Sequence, residues 1–298
     1  MKHLLNMEQL TKTDITQILN LADQMKYEQK NGIAHEVLKG KHLAMIFAKS
    51  STRTRVSFEV GMDQLGGKGL FLSQNDLQLG RGESIEDTAK VLSRYVDGIM
   101  IRTFSQDDVE ELAHHADVPV INGLTDSSHP CQILADLMTM REVLTVLEGK
   151  TVAWVGDGNN VCQSLMVGAS TMGMHVNVAT PVDYEPDAAL LASLKQSVTF
   201  SHDPKAAVKG ADVVVTDVWT SMGQEDETAK RLEVFAPYQV NEALMSLANE
   251  KAMVQHCLPA HKGEEISEAV FNSHAHFIYE EAENRLHVQK AVLALLMK

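Results

Sequence analysis

Short apolar runs alternate along this chain with longer amphipathic ones, and that alternation limits the fold more than any other feature. Strands are predicted at Leu43–Ala48, Gly98–Ile101, Val118–Ile121, Thr151–Val155, His175–Ala179, Asp212–Thr216 and Ala252–Gln255. Helical periodicity is predicted between them, at Arg55–Leu65, Ser84–Tyr95, Cys131–Leu147, Val161–Met172 and Val240–Ala248. The strand runs show little two-residue alternation. A strand apolar on both faces has to be covered on both, which calls for parallel sheets flanked by helices. The expected class is α/β, as doubly wound domains with central parallel sheets.

At 298 residues the chain exceeds what one core usually holds, so two domains of roughly 130–150 residues are expected. The division is predicted just after Cys131–Leu147. There Glu148-Gly149-Lys150 leads into the strand TVAWV and the turn GDGNN, the opening of a fresh α/β unit. The expected domains are 1–147 and 148–284. The terminal stretch 285–298, carrying the helical pattern His287–Lys298, is expected to cross back to the first.

Lys and Arg total 26 against 40 Asp and Glu, a net charge of −14. Broad nucleic-acid binding needs clustered positive charge and is disfavoured. A local group of arginines can still hold one small anion in an acidic protein. No apolar run approaches the roughly 20 residues that span a bilayer. The opening MKHLLNMEQLTKTD is too polar too early for a signal peptide, which makes the cytoplasm the expected location. Cys131, Cys162 and Cys257 are odd in number and share no metal-ligand spacing, which fits free thiols.

The most informative segment is LAMIFAKSSTRTRVSFEVGMDQLGG. An apolar strand ends, Lys49-Ser50-Ser51-Thr52-Arg53-Thr54-Arg55 follows, and a helix begins. Ligands of open parallel sheets bind beyond the carboxyl ends of strands. A helix starting there aims free N–H groups and its positive dipole end at the ligand. Ser51, Thr52 and Thr54 add hydroxyls, and Arg53 adds a planar fork suited to two phosphate oxygens. Capping accounts for one or two of the hydroxyl residues. It does not account for two arginines where positive charge opposes the dipole. The reading is an anion site, most simply for phosphate, and not a Walker loop, since GxxxxGK[ST] is absent.

Ser-Thr-Arg-Thr-Arg at 51–55 and His129-Pro130-Cys131-Gln132 together resemble motifs of the aspartate/ornithine carbamoyltransferase family. Asp217-Val218-Trp219-Thr220-Ser221-Met222-Gly223 and His256-Cys257-Leu258-Pro259-Ala260 look like its ornithine branch. The four occur in the family's order, and flanking matches at Gln78 to Ser84 and Glu283-Asn284-Arg285 extend the likeness over nearly the whole chain. The resemblance implies two α/β domains with the active site in the interdomain cleft. It implies transfer of a carbamoyl group from carbamoyl phosphate to the side-chain amine of L-ornithine, giving L-citrulline and phosphate. It further implies a homotrimer or a multiple of trimers, each site completed by a neighbour's loop, and no metal or organic cofactor.

By the same resemblance Ser51, Thr52, Arg53 and Thr54 hold the phosphate, joined by Arg102 and Arg285. His129 and Gln132 bond the carbamoyl group, and the Leu258 carbonyl accepts from its NH₂. Gln78 reaches the neighbouring subunit's site. Asn160, Asp217, Ser221 and Met222 bind ornithine, while Cys257 lies beside the ornithine side chain. Thr54, Arg102, His129 and Cys257 are the residues expected at the chemistry. Taken singly, these residues allow plainer roles. His129 precedes Pro130 and suits a turn or cap. Arg102 could close a strand at the surface, Arg285 could form a solvated ion pair, and Gln78 could be ordinary loop polarity. Cys257 could be a nucleophile, although direct amine attack needs none, or a buried structural thiol. Asn159 is an alternative to Asn160, which the family pattern favours. GDGNN lacks the GxGxxG spacing of a dinucleotide turn.

Overall fold

The computed structural model describes residues 1–74, 82–220 and 225–298. Its elements, in chain order, are α1 (Lys12–Lys30), β1 (His42–Phe47), α2 (Thr52–Gln64), β2 (Lys68–Ser73), α3 (Ile85–Leu92), β3 (Gly98–Arg102), α4 (Gln106–His115), β4 (Val120–Leu124), α5 (Pro130–Leu144), β5 (Thr151–Val155), α6 (Asn160–Thr171), β6 (His175–Ala179), α7 (Ala188–Ser193), β7 (Val198–Ser201), α8 (Pro204–Val208), β8 (Val213–Thr216), α9 (Thr228–Phe235), α10 (Glu242–Met245), β9 (Met253–His256) and α11 (Glu268–Met297).

The chain divides into two compact units, Met1–Ala135 with Asn284–Lys298, and Asp136–Glu283. Unit 1 holds a four-stranded sheet in the order β2-β1-β3-β4, and unit 2 a five-stranded sheet in the order β7-β6-β5-β8-β9. Every strand pair is parallel. The α/β reading holds for both. The central strands β1, β3, β5 and β8 are buried on both faces, as their apolar runs require. In unit 1 one sheet face presents Ala44, Ile46, Ile99 and Ile101 to Val109, Leu112 and Ala113 of α4. In unit 2 Ala153, Val155, Val214 and Val254 form a core with Tyr238, Val240, Phe271 and Ile278.

The sequence reading passes over β2 and β7. Both are edge strands, and both are only partly buried, so their apolar signal is diluted. It also passes over α1, α4, α7, α8 and α9, although Thr11 and Asp14 form a full capping box at the start of α1. The last helix begins far earlier than the predicted His287, at Glu268. The predicted Val240–Ala248 helix shrinks to Glu242–Met245, because Asn241 caps it and Ser246 ends it.

Register decides where the functional side chains lie. Phe47 is level with both Arg102 and Ser73, and Arg102 with Leu124. The carboxyl ends of β1, β3 and β4 therefore open onto one edge of the first sheet. In unit 2 Trp154 is level with Val215, and Thr216 with His256, so β5, β8 and β9 end together in the same way. Among the described residues no helix is long and apolar enough to cross a membrane.

Candidate active site

Unit 1 carries the arginine-rich cluster at the start of α2. Ser51 caps α2, its Oγ accepting from the Thr54 N–H at 3.2 Å. The first turn of α2 contains no acidic residue, so the helix dipole there is left for a ligand. A hollow of about 430 Å³ opens at this point, lined by Phe47, Ser50, Ser51, Thr52, Phe71 and Gln74 among others. Thr54 is buried, and its Oγ1 accepts from Ser51 Oγ at 3.1 Å and from Arg285 Nη2 at 3.3 Å. Arg285 also donates through Nη1 to Gln132 Oε1 at 2.8 Å.

Arg102, His129, Gln132 and Arg285 are all buried. Burial first, and then the charges of Arg285, Arg102 and Arg53, push the His129 imidazole well below its usual range. Three guanidinium charges thus bear on one neutral ring. That is how a site looks when it awaits an anion: cations are gathered at close quarters, and the histidine among them is kept uncharged. The two arginines that oppose the α2 dipole separate in role. Arg55 lies over the Phe71 ring at 3.8 Å and bonds Glu59 at 3.1 Å. Arg53 stays half-buried, with its charge acting on His129. Lys49, also buried, forms an ion pair with Asp126 and stands 4.3 Å from the Phe104 ring.

Unit 2 carries a carboxylate at the corresponding strand ends. Asp217 follows β8, and its Oδ1 accepts from the Val218 N–H at 2.8 Å and from Cys257 Sγ at 3.0 Å. Its Oδ2 accepts from Asn159 Nδ2 at 2.9 Å. Asn159 is therefore a neighbour of Asp217. The same Asn159 caps α6, its Oδ1 accepting from the N–H groups of Val161 and Cys162, both at 3.0 Å. Asn160 bonds the Val161 N–H.

Cys257 is half-buried, and its thiol is pushed well above the normal range by burial first, then by the Asp217 charge and the bond to it. At neutral pH it is a thiol that donates to a carboxylate, which argues against a nucleophile. Iodoacetamide at pH 8 should modify Cys257 at least about tenfold more slowly than a free cysteine. Peptide mass spectrometry checks this, and rapid loss of the native peptide would reveal a thiolate.

The next residues are fixed by a buried histidine. His256 Nδ1 accepts from the Leu258 N–H at 2.9 Å, so Nε2 carries the proton and faces Glu265 Oε1 at 2.9 Å. Leu258 adopts φ +59°, a left-handed conformation that costs a branched residue about 1–3 kcal/mol. The bond from its own N–H to His256 helps hold it there. The Asp217 carboxylate, a His256 ring nitrogen and Cys257 Sγ lie within 4.8 Å of one another. Because both His256 nitrogens are already engaged, this group is a poor cage for a metal.

In GDGNN the second glycine serves packing, while at Gly156, which stands at φ +145°, an added Cβ would meet only ordinary contacts. A Cβ on Gly158 would meet the Pro186 backbone nitrogen at 2.4 Å, so the turn is closed against the chain rather than open to a pyrophosphate. Asp157 in that turn bonds Arg231 at 2.7 Å, and Arg231 also donates to the Trp219 carbonyl at 2.8 Å. Arg231 thereby ties the β5 turn to the segment after β8. Sequence reasoning missed Arg231, which arrives from α9, a helix that carries no motif; it names Asn159 as the alternative to Asn160. Gln78, Ser221 and Met222 lie outside the described residues.

Residues 2–142 match the aspartate/ornithine carbamoyltransferase carbamoyl-P binding domain, and residues 148–296 match the Asp/Orn binding domain of the same family. The chain belongs to the aspartate/ornithine carbamoyltransferase family. An ornithine carbamoyltransferase of Carboxydothermus hydrogenoformans is 59% identical over 300 residues, covering 98% of this chain and 96% of the relative. The ornithine carbamoyltransferase structure from Pyrococcus furiosus aligns with a TM-score of 0.95 at 52% identity, covering 99% of this chain and 97% of that one. That from Thermus thermophilus aligns at 0.92 and 45% identity, covering 100% and 99%. Arg53, Arg102 and His129 thus fall in the carbamoyl-P binding match, whereas Arg285 falls in the Asp/Orn binding match. The Asp217–Cys257 half falls in the Asp/Orn binding match as well.

Proposed function

We propose that this protein is an ornithine carbamoyltransferase. The observation that carries the reading is the gathering of Arg53, Arg102 and Arg285 on a neutral, buried His129 beside the capped start of α2. Carbamoyl phosphate binds there. Ser51, Thr52, Arg53 and Thr54 hold its phosphate, with Arg102 and Arg285, while His129 and Gln132 bond the carbamoyl group. Ornithine binds through Asp217, which takes its α-ammonium, with Asn160, Ser221 and Met222. Cys257 keeps Asp217 in place, and the Leu258 carbonyl accepts from the carbamoyl NH₂.

The neutral side-chain amine attacks the carbonyl carbon, and its C–N bond forms as the carbonyl becomes an oxyanion. Thr54, Arg102 and His129 donate to that oxyanion. The bond from carbon to the phosphate oxygen then breaks, and the leaving phosphate takes the proton the amine sheds. Nothing in this sequence needs an acyl-enzyme. Positioning and charge control supply the acceleration. The working assembly is a trimer, in which Gln78 reaches a neighbour's site. Three free thiols suit a reducing compartment such as the cytoplasm.

Protein supplied with carbamoyl phosphate and ornithine should release citrulline. Arg53→Ala should raise the KM for carbamoyl phosphate about ten- to a hundredfold, the loss of a charge-assisted phosphate contact, and leave that for ornithine nearly unchanged. Equal losses for the two substrates would overturn the assignment of Arg53.

A further inference from the structure

Arg285 sits on α11, and Gln289 follows it one turn later on the same face. We propose that Gln289 is a positioning residue for the carbamoyl phosphate site, fixing the plane of the Arg285 guanidinium against the first turns of α2. The inference rests on the reading of unit 1 given above.

Gln289 is fully buried, and both ends of its amide are used. Its Oε1 accepts from Arg285 Nε at 3.1 Å, and its Nε2 donates to Ser57 Oγ at 2.6 Å. Ser57 Oγ in turn donates to the Thr54 carbonyl at 3.2 Å. The amide can face only one way, because a guanidinium offers donors and no acceptor. Arg285 is consequently gripped at three nitrogens by oxygens from three helices: Nε by Gln289 of α11, Nη1 by Gln132 of α5 and Nη2 by Thr54 of α2.

All three acceptors are neutral. A carboxylate four residues after an arginine is the ordinary helical partner, and it would grip Nε as firmly. It would also cancel the positive charge that a dianion needs. A neutral amide orients the guanidinium without adding a negative charge beside it. The onward link through Ser57 to the Thr54 backbone ties the orientation of Arg285 to the turn whose hydroxyls and N–H groups face the anion.

The test is steady-state kinetics on Gln289→Leu, Gln289→Glu, Ser57→Ala and the Ser57→Ala/Gln289→Leu double variant, with inorganic phosphate as a competing probe and thermal melts alongside. Gln289→Leu should raise the KM for carbamoyl phosphate and the phosphate inhibition constant about tenfold, with the ornithine KM within about twofold. Gln289→Glu should weaken phosphate at least as much without lowering the melting temperature further, since the grip survives and the charge does not. Ser57→Ala should shift phosphate about threefold in the same direction. The double variant should be no worse than Gln289→Leu, because both act through one chain of bonds. Unchanged phosphate inhibition in Gln289→Leu and Ser57→Ala, or equal rises in both substrates' KM, overturns the proposal. Should Gln289→Leu fail to fold, Ser57→Ala decides by the same split. Wild-type protein that makes no citrulline overturns the functional reading and this inference with it. Wild-type turnover with unaltered variants overturns this inference alone.

Discussion

His129→Ala should lower kcat about a hundred- to a thousandfold, the usual cost of removing one donor from an oxyanion site. The argument begins with charge. His129 is buried among Arg53, Arg102 and Arg285, and both burial and those charges oppose its protonation. It therefore meets the substrate as a neutral imidazole, able to donate one hydrogen bond to the carbamoyl oxygen as negative charge develops there. Arg102 and Thr54 remain in the variant, so turnover should be reduced rather than abolished. His129→Gln keeps an N–H in place and should recover about tenfold of the loss. Protonation of His129 occurs only below its depressed value, and the ring is uncharged at every pH above it. Wild-type kcat should accordingly show no rise centred near pH 6.5 that disappears in His129→Gln. Such a rise, or a kcat within about threefold of wild type in His129→Ala, would remove His129 from the chemistry.

Ornithine should exceed putrescine, N-acetylornithine and aspartate by at least about a hundredfold in kcat/KM when all four are assayed side by side with carbamoyl phosphate. A site built from polar groups rejects an analogue that leaves those groups unpaired. Asp217 is such a group: it is buried and already oriented by Asn159, the Val218 N–H and Cys257. Three protein groups already donate to its two oxygens, and the α-ammonium of ornithine would add a fourth donor. Putrescine lacks the amino-acid head, N-acetylornithine lacks the α-ammonium charge, and aspartate lacks a side-chain amine. Comparable turnover with putrescine or N-acetylornithine would show that Asp217 does not read the α-ammonium.

Much of the site was legible because its motifs are local. Ser51-Thr52-Arg53-Thr54 straddles a strand end and a helix start, and the expectation of an anion site there follows from that junction. Asp217 and Cys257 also follow strands directly, and β5 and β6 fall where the sequence places them. Edge strands β2 and β7 were harder to read, since an edge needs fewer apolar residues. The choice between Asn159 and Asn160 was open in the sequence. Adjacent residues of one type differ only in direction, and here direction is set by the cap of α6 and the place of Asp217. Arg55, one of the two arginines that oppose the dipole of α2, lies over the ring of Phe71 from β2, a contact the local sequence does not show.

The sequence by itself determined the α/β class, the strand-end motifs and the chemistry they can perform. These depend on apolar periodicity and on residue types at short spacing, both of which act within a few residues. Tertiary structure decided which of those residues meet. Parallel register put Arg102 level with the end of β1, and the return of α11 brought Arg285 and Gln289 to Thr54, Ser57 and Gln132. The physical reason is that hydrogen bonds and charges act over a few ångströms of space, while the groups that make them can stand more than two hundred residues apart in the chain, as Arg285 and Thr54 or Gln289 and Ser57 do.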